Sequence, residues 1–425
     1  MSLENISSEA EKAEREVSEL CSGLVKLNSA HPEGRTDGCV EYIKDYLDSH
    51  GIENEIHAND PAKPNIVARL KGTSKRKALW VGHLDVVPAG EPDSWTHAAY
   101  SGKITDDGRV WGRGTSDMKG ACAAAMVTAR ILSERDSLEN SVEFWFTSDE
   151  EIGGGEGARW LAQSGRLKGD VCVIGDGNGG GLELPSIDLG CKGGAGTRLI
   201  ARGKTAHGST PYLGDNAITK LREVIPWVER IGEYRLELPE ELEKAIEDSL
   251  VFYRKTQVLD TEEKRRGVER LFHYPTVACN IISGGVKSNV VPDYAEATFD
   301  IRLTPGSKPL KVKQRIEELV REANVQGVEA VVRARETAGY YESPDSPFAH
   351  QLSETIEKLT GKRPIMKILT GGTDAVSVKN YARIPCLGYG TSLVGMAHQP
   401  DEHVTVENLV LGVKVYSGFF LNYKG

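Results

Sequence analysis

The residues best suited to chemistry are histidines and carboxylates that follow short apolar runs or lie among glycines. Asp117 lies in the segment 112–120, whose glycines and small polar residues predict a loop whose backbone closely approaches another group. The apolar small-residue run 121–126 follows at once and predicts the start of a buried helix. We predict that Asp117 bridges two metal ions.

His83 and Asp85 come directly after the apolar run 79–81, which predicts a strand end. In an extended segment, residues two apart point to the same side. Asp85 can therefore accept a hydrogen bond from the ring nitrogen of His83 that does not bind metal, which places Asp85 among the catalytic residues. A surface histidine beside a turn aspartate is the alternative.

Glu150 and Glu151 follow the apolar run 142–146 and precede three consecutive glycines. Carboxylates packed together at a buried strand end repel one another unless a cation compensates them. An acidic solvated loop is the alternative. Because neighbouring side chains point in different directions, we predict that one glutamate binds metal and the other is the general base for a metal-bound water.

Asp176 and His398 are weaker candidates, since an Asp-Gly pair such as Asp176-Gly177 usually marks only a turn. Together, the candidates offer two histidines and three carboxylates, with one glutamate to spare. Nitrogen and oxygen donors of this kind suit Zn²⁺, with Co²⁺ or Mn²⁺ as substitutes.

Composition excludes several classes of function. With 52 lysines and arginines against 62 aspartates and glutamates, the net charge is -10, so nucleic acid and anionic membranes are not expected partners. The 7 cysteines are scattered without a C-x-x-C pair, which is typical of reduced thiols and predicts a cytoplasmic location. The N-terminus through Glu19 is polar and no run of 18 apolar residues occurs, so we expect neither a signal peptide nor a membrane span.

The order of elements predicts two domains in these 425 residues. Strands alternate with helices over 1–189 and again over 339–425, which indicates a discontinuous three-layer α/β/α domain with its sites at the carboxyl ends of strands. The intervening 190–338 has the order βαββαβ, which indicates an inserted α+β domain of ferredoxin-like type. Within it, the charged segment 237–270 predicts an exposed helical excursion.

These motifs occur in a characteristic order: His83-x-Asp85, Gly112-x-Gly114-x-x-Asp117-x-Lys119-Gly120, Glu150-Glu151, Asp176, Gly203-x-x-x-His207 and His398. The series resembles the dinuclear zinc amidohydrolases that include acetylornithine deacetylase, succinyl-diaminopimelate desuccinylase, aminoacylase and carboxypeptidase G. The resemblance extends over nearly the whole chain. It implies a zinc-exopeptidase-like catalytic domain, a cis peptide bond after the bridging aspartate, and an inserted domain that acts as a lid and pairs with a second subunit in a homodimer.

The resemblance also implies a role for each ligand. Asp117 would bridge two Zn²⁺ per chain. His83 and Asp176 would complete one site, and Glu151 and His398 would complete the other.

For the remaining residues, the resemblance implies direct parts in the reaction. Glu150 would take a proton from the bridging water and return it to the leaving amine. His207 would reach into the neighbouring subunit's active site to stabilise the oxyanion, with a plain loop histidine as the alternative. Asn289, Arg302 and Thr373 match positions that contact substrate in relatives.

The implied reaction is hydrolysis of the amide bond of a short peptide or an N-acyl amino acid with a free carboxylate. Asp176 stands where deacetylase and desuccinylase members tend to carry glutamate, which resembles the peptidase branch. A biosynthetic deacylase of the desuccinylase or deacetylase type is the alternative. A non-catalytic binding protein is disfavoured because all the candidate ligands and Glu150 are present.

Overall fold

The computed structural model describes residues 3–177, 179–334 and 339–424. The strands are β1 Glu53–His57, β2 Asn65–Leu70, β3 Lys77–His83, β4 Lys103–Thr105, β5 Arg109–Trp111, β6 Ser141–Thr147, β7 Val171–Ile174, β8 Ser186–Cys191, β9 Gly193–Gly194, β10 Gly196–Arg202, β11 Ala206–His207, β12 Thr276–Gly284, β13 Val290–Val291, β14 Tyr294–Leu303, β15 Val328–Arg333, β16 Tyr340–Tyr341, β17 Ile365–Leu369, β18 Cys386–Gly388 and β19 His403–Thr405. The α-helices are α1 Leu3–Lys12, α2 Glu14–Lys26, α3 Asp37–Ser49, α4 Gly120–Ser133, α5 Ala158–Gln163, α6 Ala217–Glu229, α7 Glu243–Thr256, α8 Glu262–Arg270, α9 Pro309–Glu322, α10 Pro347–Thr360, α11 Ala375–Ser377 and α12 Val406–Asn422.

The larger sheet runs in the order β1-β2-β6-β3-β7-β18-β8-β16, and β17 also pairs with β8. Its central strands β6, β3, β7 and β18 are parallel neighbours. Their apolar runs are buried, as expected for parallel strands covered on both faces. Parallel strands end at a common edge, so the residues that follow β3, β6 and β7 meet there.

Alternate side chains of β3 pack into apolar cores on the two faces of the sheet. Ala78 and Trp80 pack into the core formed with α2, α4 and α12, whereas Leu79 and Val81 pack into the core formed with α5. Successive side chains of a strand point to opposite faces, so an uninterrupted apolar run places helices on both sides. The predicted three-layer α/β/α architecture is confirmed.

A second sheet runs in the order β12-β14-β10-β15, with β9 paired to β14. Its strands are antiparallel, and helices α6 and α9 cover one face around a separate apolar core. The element order β10-α6-β12-β14-α9-β15 is the predicted βαββαβ arrangement.

The prediction that 237–270 forms an exposed helical excursion is wrong for α7, whereas α8 is helical and buries only Val268. Helix α7 packs against β17, and its buried Ile246, Phe252 and Tyr253 join the core of the catalytic domain. The Ser249 Oγ accepts a hydrogen bond from the backbone N–H of Ile368 at 2.8 Å. Between its charged residues, α7 carries apolar residues at helical spacing. This apolar face is enough to pack the helix against the core.

Among the described residues, none of the helices combines the length and apolarity needed to span a lipid bilayer.

Candidate dinuclear metal site

The five predicted ligands converge at the common edge of the central strands. His83, Asp117 and Asp176 form one group, and Asp117, Glu151 and His398 form another. Within each group, one donor atom per residue lies within 4.8 Å of the others. His83 ends β3, Asp176 follows β7, and Glu151 lies in the turn after β6, so the sheet positions three of the five.

Asp117 belongs to both groups, and its two oxygens face different histidines. The Nε2 of His83 lies 3.2 Å from Oδ1 of Asp117, and the Nε2 of His398 lies 3.1 Å from Oδ2. The His398 Nε2 is also 3.3 Å from the Glu151 carboxylate. A carboxylate between two nitrogen and oxygen groups has the chemistry to bridge two borderline cations, so the residues present fit a dinuclear site.

The charged groups of this cluster shift one another's pKa values. Burial raises the pKa of Asp176 well above its usual range, and the nearby charge of Asp117 raises it further. Burial also raises the pKa of Asp117, but the hydrogen bonds and charges of His398 and His83 together outweigh it and hold that pKa low. Hydrogen bonds with Asp117 and Glu151 raise the pKa of His398 to about 10. The protons favoured on Asp176 and His398 lie where a cation can take their place, because metal ligands must lose their protons to bind.

The loop around Asp117 needs its glycines. Gly114 has φ 91°, a left-handed conformation that favours glycine, and a Cβ there would lie 2.8 Å from Cγ1 of Val86. The peptide bond between Asp117 and Met118 is cis, as the resemblance implies.

The structure corrects the prediction for Asp85. The ring Nδ1 of His83 donates to the backbone carbonyl of Asp85 at 2.9 Å, whereas the nearest Asp85 carboxylate oxygen is 3.7 Å away. The carbonyl fixes the tautomer and leaves Nε2 of His83 free to bind metal. The predicted hydrogen bond to the carboxylate is therefore wrong, because the turn after β3 directs the carbonyl towards the ring.

The Asp85 carboxylate instead holds the turn that carries the two glutamates. It accepts the backbone N–H groups of Glu150 at 3.0 Å and Glu151 at 3.1 Å. His31 donates to the same carboxylate at 2.9 Å, and both side chains are buried. Burial raises the pKa of Asp85, but the hydrogen bond with His31, the charge of His83 and the two backbone N–H groups together outweigh it, so the net shift is downward. His31 is not predicted from the sequence, because its local sequence contains no ligand motif.

Glu150 lies beside the ligand groups without belonging to either. Burial raises its pKa well above the usual range, and the charges of Asp176 and Asp374 add to the rise. Asp374 was also missed as a site residue. It is buried, accepts a hydrogen bond from Oγ1 of Thr147 at 2.8 Å, and has its pKa raised by burial to about 6.

His207 and the predicted substrate residues are not members of either ligand group. His207 is exposed on β11, which pairs with β13. The backbone N–H of Gly208 donates to the carbonyl of Asn289 at 2.8 Å, so His207 and Asn289 share one loop cluster. Arg302 pairs with Asp300 on its own strand at 2.9 Å.

Arg302 also approaches the loop that contains Thr373. A Cβ placed on Gly372 would lie 3.9 Å from Nη1 of Arg302. The second sheet therefore presents a guanidinium to the catalytic domain, next to the buried Thr373.

Comparison with known proteins identifies this arrangement. The sequence profile described as peptidase family M20/M25/M40 matches residues 79–422. The chain belongs to this family. The predicted family resemblance is thereby confirmed, and the chain is a metal-dependent hydrolase.

Relatives with similar sequences or folds carry different names. A protein of Staphylococcus aureus named probable succinyl-diaminopimelate desuccinylase is 28% identical over 417 residues, covering 95% of this chain and 98% of the relative. The M20 metallo-carboxypeptidase Sso-CP2 of Sulfolobus solfataricus has a similar fold, with a TM-score of 0.78, 23% identity, and coverage of 95% and 98% of the two chains. The dipeptidase Dug1p of Saccharomyces cerevisiae has a TM-score of 0.78 at 16% identity, with coverage of 99% and 98%.

Proposed function

We propose that this protein hydrolyses the amide bond of a short peptide or an N-acyl amino acid that carries a free carboxylate. The observation that carries the proposal is the pair of ligand groups that share Asp117, with Glu150 beside them. Two bound divalent cations, Zn²⁺ first and Co²⁺ or Mn²⁺ as substitutes, would acidify a water molecule and polarise the scissile carbonyl.

Glu150 is the proposed general base and acid. Its carboxylate takes a proton from the attacking water, and the resulting carboxylic acid gives the same proton to the leaving amine. The backbone of Glu150 is fixed by the Asp85 carboxylate, which limits the positions that its side chain can take. The raised pKa favours the protonated form that the second step needs.

Arg302 is the proposed clamp for the substrate carboxylate. Its side chain is partly exposed, is held in place by Asp300, and faces the loop before Thr373. An arginine can bind a carboxylate through two parallel hydrogen bonds, which fixes orientation as well as charge.

We further propose that two chains form a homodimer through the inserted domain. The edge strand β12 exposes Ile281 and Ile282, and Tyr212 beside His207 is 80% exposed. An unpaired strand edge with apolar side chains is a surface that favours pairing with another copy. His207 would then serve the neighbouring active site as an oxyanion donor, and Asn289 would contact the substrate. We also propose a cytoplasmic location, because the cysteines are free thiols, which are typical of a reducing compartment.

A biosynthetic deacylase is the second candidate, since the Staphylococcus aureus relative is named as a probable desuccinylase. A substrate panel separates the two. Protein reloaded with Zn²⁺ or Co²⁺ is assayed on dipeptides, N-acetyl amino acids and N-succinyl-diaminopimelate, and kcat/KM is measured by release of the free amine. The highest kcat/KM on a dipeptide or a simple N-acyl amino acid supports the first proposal. The highest value on N-succinyl-diaminopimelate favours the second.

A further inference from the structure

Glu402 is a fully buried carboxylate that contacts the loop carrying Asp117. Its Oε1 accepts three backbone N–H groups: Gly114 at 3.1 Å, Ser116 at 2.8 Å and Asp117 at 3.0 Å. Its side chain is 0% exposed, so these donors take the place of water. A buried carboxylate without such partners is strongly unfavourable, which makes this loop conformation and Glu402 interdependent.

The second oxygen of Glu402 binds a buried cation. The Arg113 Nη1 donates to Oε2 at 2.5 Å, and the Arg113 guanidinium lies 5.2 Å from the centre of the Trp95 ring. Arg113 precedes Gly114, so the ion pair and the three N–H groups come from the same loop. Removing one partner of a buried ion pair leaves an uncompensated charge, which is far more costly than losing an exposed pair.

Glu402 also fixes the chain that carries His398, four positions earlier. Between them, Asp401 accepts hydrogen bonds from the backbone N–H of Thr96 at 2.6 Å and from its hydroxyl at 2.8 Å. The 398–402 segment is therefore anchored at Thr96 on one side and at the Asp117 loop on the other. Asp117 and His398 belong to the same ligand group, so one side chain sets the positions of two ligands.

We propose that Glu402 is a positioning residue that assembles the metal site before any cation binds. It is not a ligand, since both of its oxygens are used by N–H donors and it lies outside both ligand groups. The inference rests on the proposed dinuclear site. Because Asp117 belongs to both groups, loss of Glu402 should weaken the binding of both cations.

The test measures Co²⁺ binding to the metal-free protein by calorimetry and by the visible absorption bands of the bound ion. Glu402→Gln keeps an oxygen for the three N–H groups but presents an amide to Arg113. Substitution of partners of metal ligands typically weakens metal binding by about 10- to 100-fold. We expect a loss in this range at both sites, together with altered visible bands that report a changed ligand geometry.

The matched control is Asp188→Asn. Asp188 is a buried carboxylate that pairs with the buried Lys367 on neighbouring strands, and it lies outside both ligand groups. Thermal unfolding of both metal-free variants shows how much of any change is general destabilisation. Wild-type affinity and wild-type visible bands in Glu402→Gln would overturn the proposal, and so would an equal loss of affinity in both variants.

If Glu402→Gln does not fold, Glu402→Asp is measured in the same way. It keeps the charge, but its shorter side chain cannot reach Arg113 and the three N–H groups together, so weaker Co²⁺ binding is again expected. Wild-type affinity in Glu402→Asp would overturn the proposal. Failure of the wild-type protein to bind Co²⁺ would instead overturn the dinuclear site itself, which distinguishes the two proposals.

Discussion

The metal-ligand loops and the loop cluster of His207 and Asn289 differ in how their backbones and side chains are supported. A buried carboxylate accepts hydrogen bonds from the backbone of each ligand loop: Asp85 accepts the N–H of Glu150, and Glu402 accepts the N–H of Asp117. His207 lies instead exposed on the two-residue strand β11, and its Nδ1 contacts the hydroxyl and accepts the backbone N–H of the neighbouring Ser209. All five proposed metal ligands thus come from one chain, whereas the proposed role of His207 depends on a second chain.

The largest expected effect comes from breaking the shared ligand. Asp117→Asn removes a charge from both groups at once, so we expect metal content to fall from about two ions per chain to fewer than one. Activity should fall by at least about 10³-fold, since metal-bound catalysis depends on both groups. Elemental analysis of the purified variant measures the metal. Retention of both ions would refute the bridging role.

Glu150→Gln should separate catalysis from metal binding. The amide cannot exchange a proton, so we expect activity to fall by about 10²- to 10⁴-fold while both ions stay bound. Steady-state kinetics and elemental analysis measure the two properties. The exposed Glu183 supplies the control variant Glu183→Gln, which should retain full activity. Substantial activity in Glu150→Gln would show that another group is the base.

His207→Ala tests the proposed oxyanion role of the exposed His207. We expect kcat to fall by about 10²- to 10³-fold, as when an oxyanion donor is lost, with unchanged metal content and thermal stability. His350→Ala, at another exposed histidine, is the control.

Mixing the His207→Ala and Glu150→Gln chains tests whether His207 acts across the dimer. In a mixed dimer, one site combines an intact Glu150 with an intact His207 from the other chain. Random reassortment should therefore restore about a quarter of wild-type activity. No recovery would show that His207 serves its own chain or has no catalytic part.

The smallest effect concerns pH and the metal-free protein. The pKa of His398 is about 10 when folded, raised by Asp117 and Glu151, against about 6.5 when unfolded. Its contribution to the free energy of unfolding is therefore complete below about pH 6.5 and is lost as the pH rises through about 10.

Urea unfolding of the metal-free protein between pH 6.5 and 10 measures this loss. His398→Gln should show a shallower decline, whereas His207→Gln should keep the wild-type pH dependence because His207 lies outside both ligand groups. The same proton competes with the cation, so Co²⁺ affinity should increase with pH over this interval. An identical pH dependence in wild type and His398→Gln would contradict the assignment.

Local patterns predict the strand ends of this fold well, because apolar runs and turn residues are adjacent in sequence. His83, Glu151 and Asp176 follow such runs, and the structure brings them together. The supporting partners could not be predicted in this way. Arg113 and Glu402 are 289 positions apart, and only the folded chain reveals that they are paired.

The two incorrect predictions have equally specific causes. The choice between the carbonyl and the carboxylate of Asp85 depends on the turn geometry after β3, which residue spacing does not encode. In α7, many charged residues suggested exposure, although a few apolar residues at helical spacing are sufficient to bury one face. Charge content alone is therefore a poor guide to the position of a helix.

The docking of α7 also limits how this enzyme can be divided. The polypeptide leaves the catalytic sheet after β8, returns to it with α7 and α8, and departs again before β12. Deleting all residues between β8 and β16 would remove Phe252 and Tyr253 from their packing beside β17 and expose apolar surface there. An isolated catalytic unit would have to keep both helices, joined by a new linker.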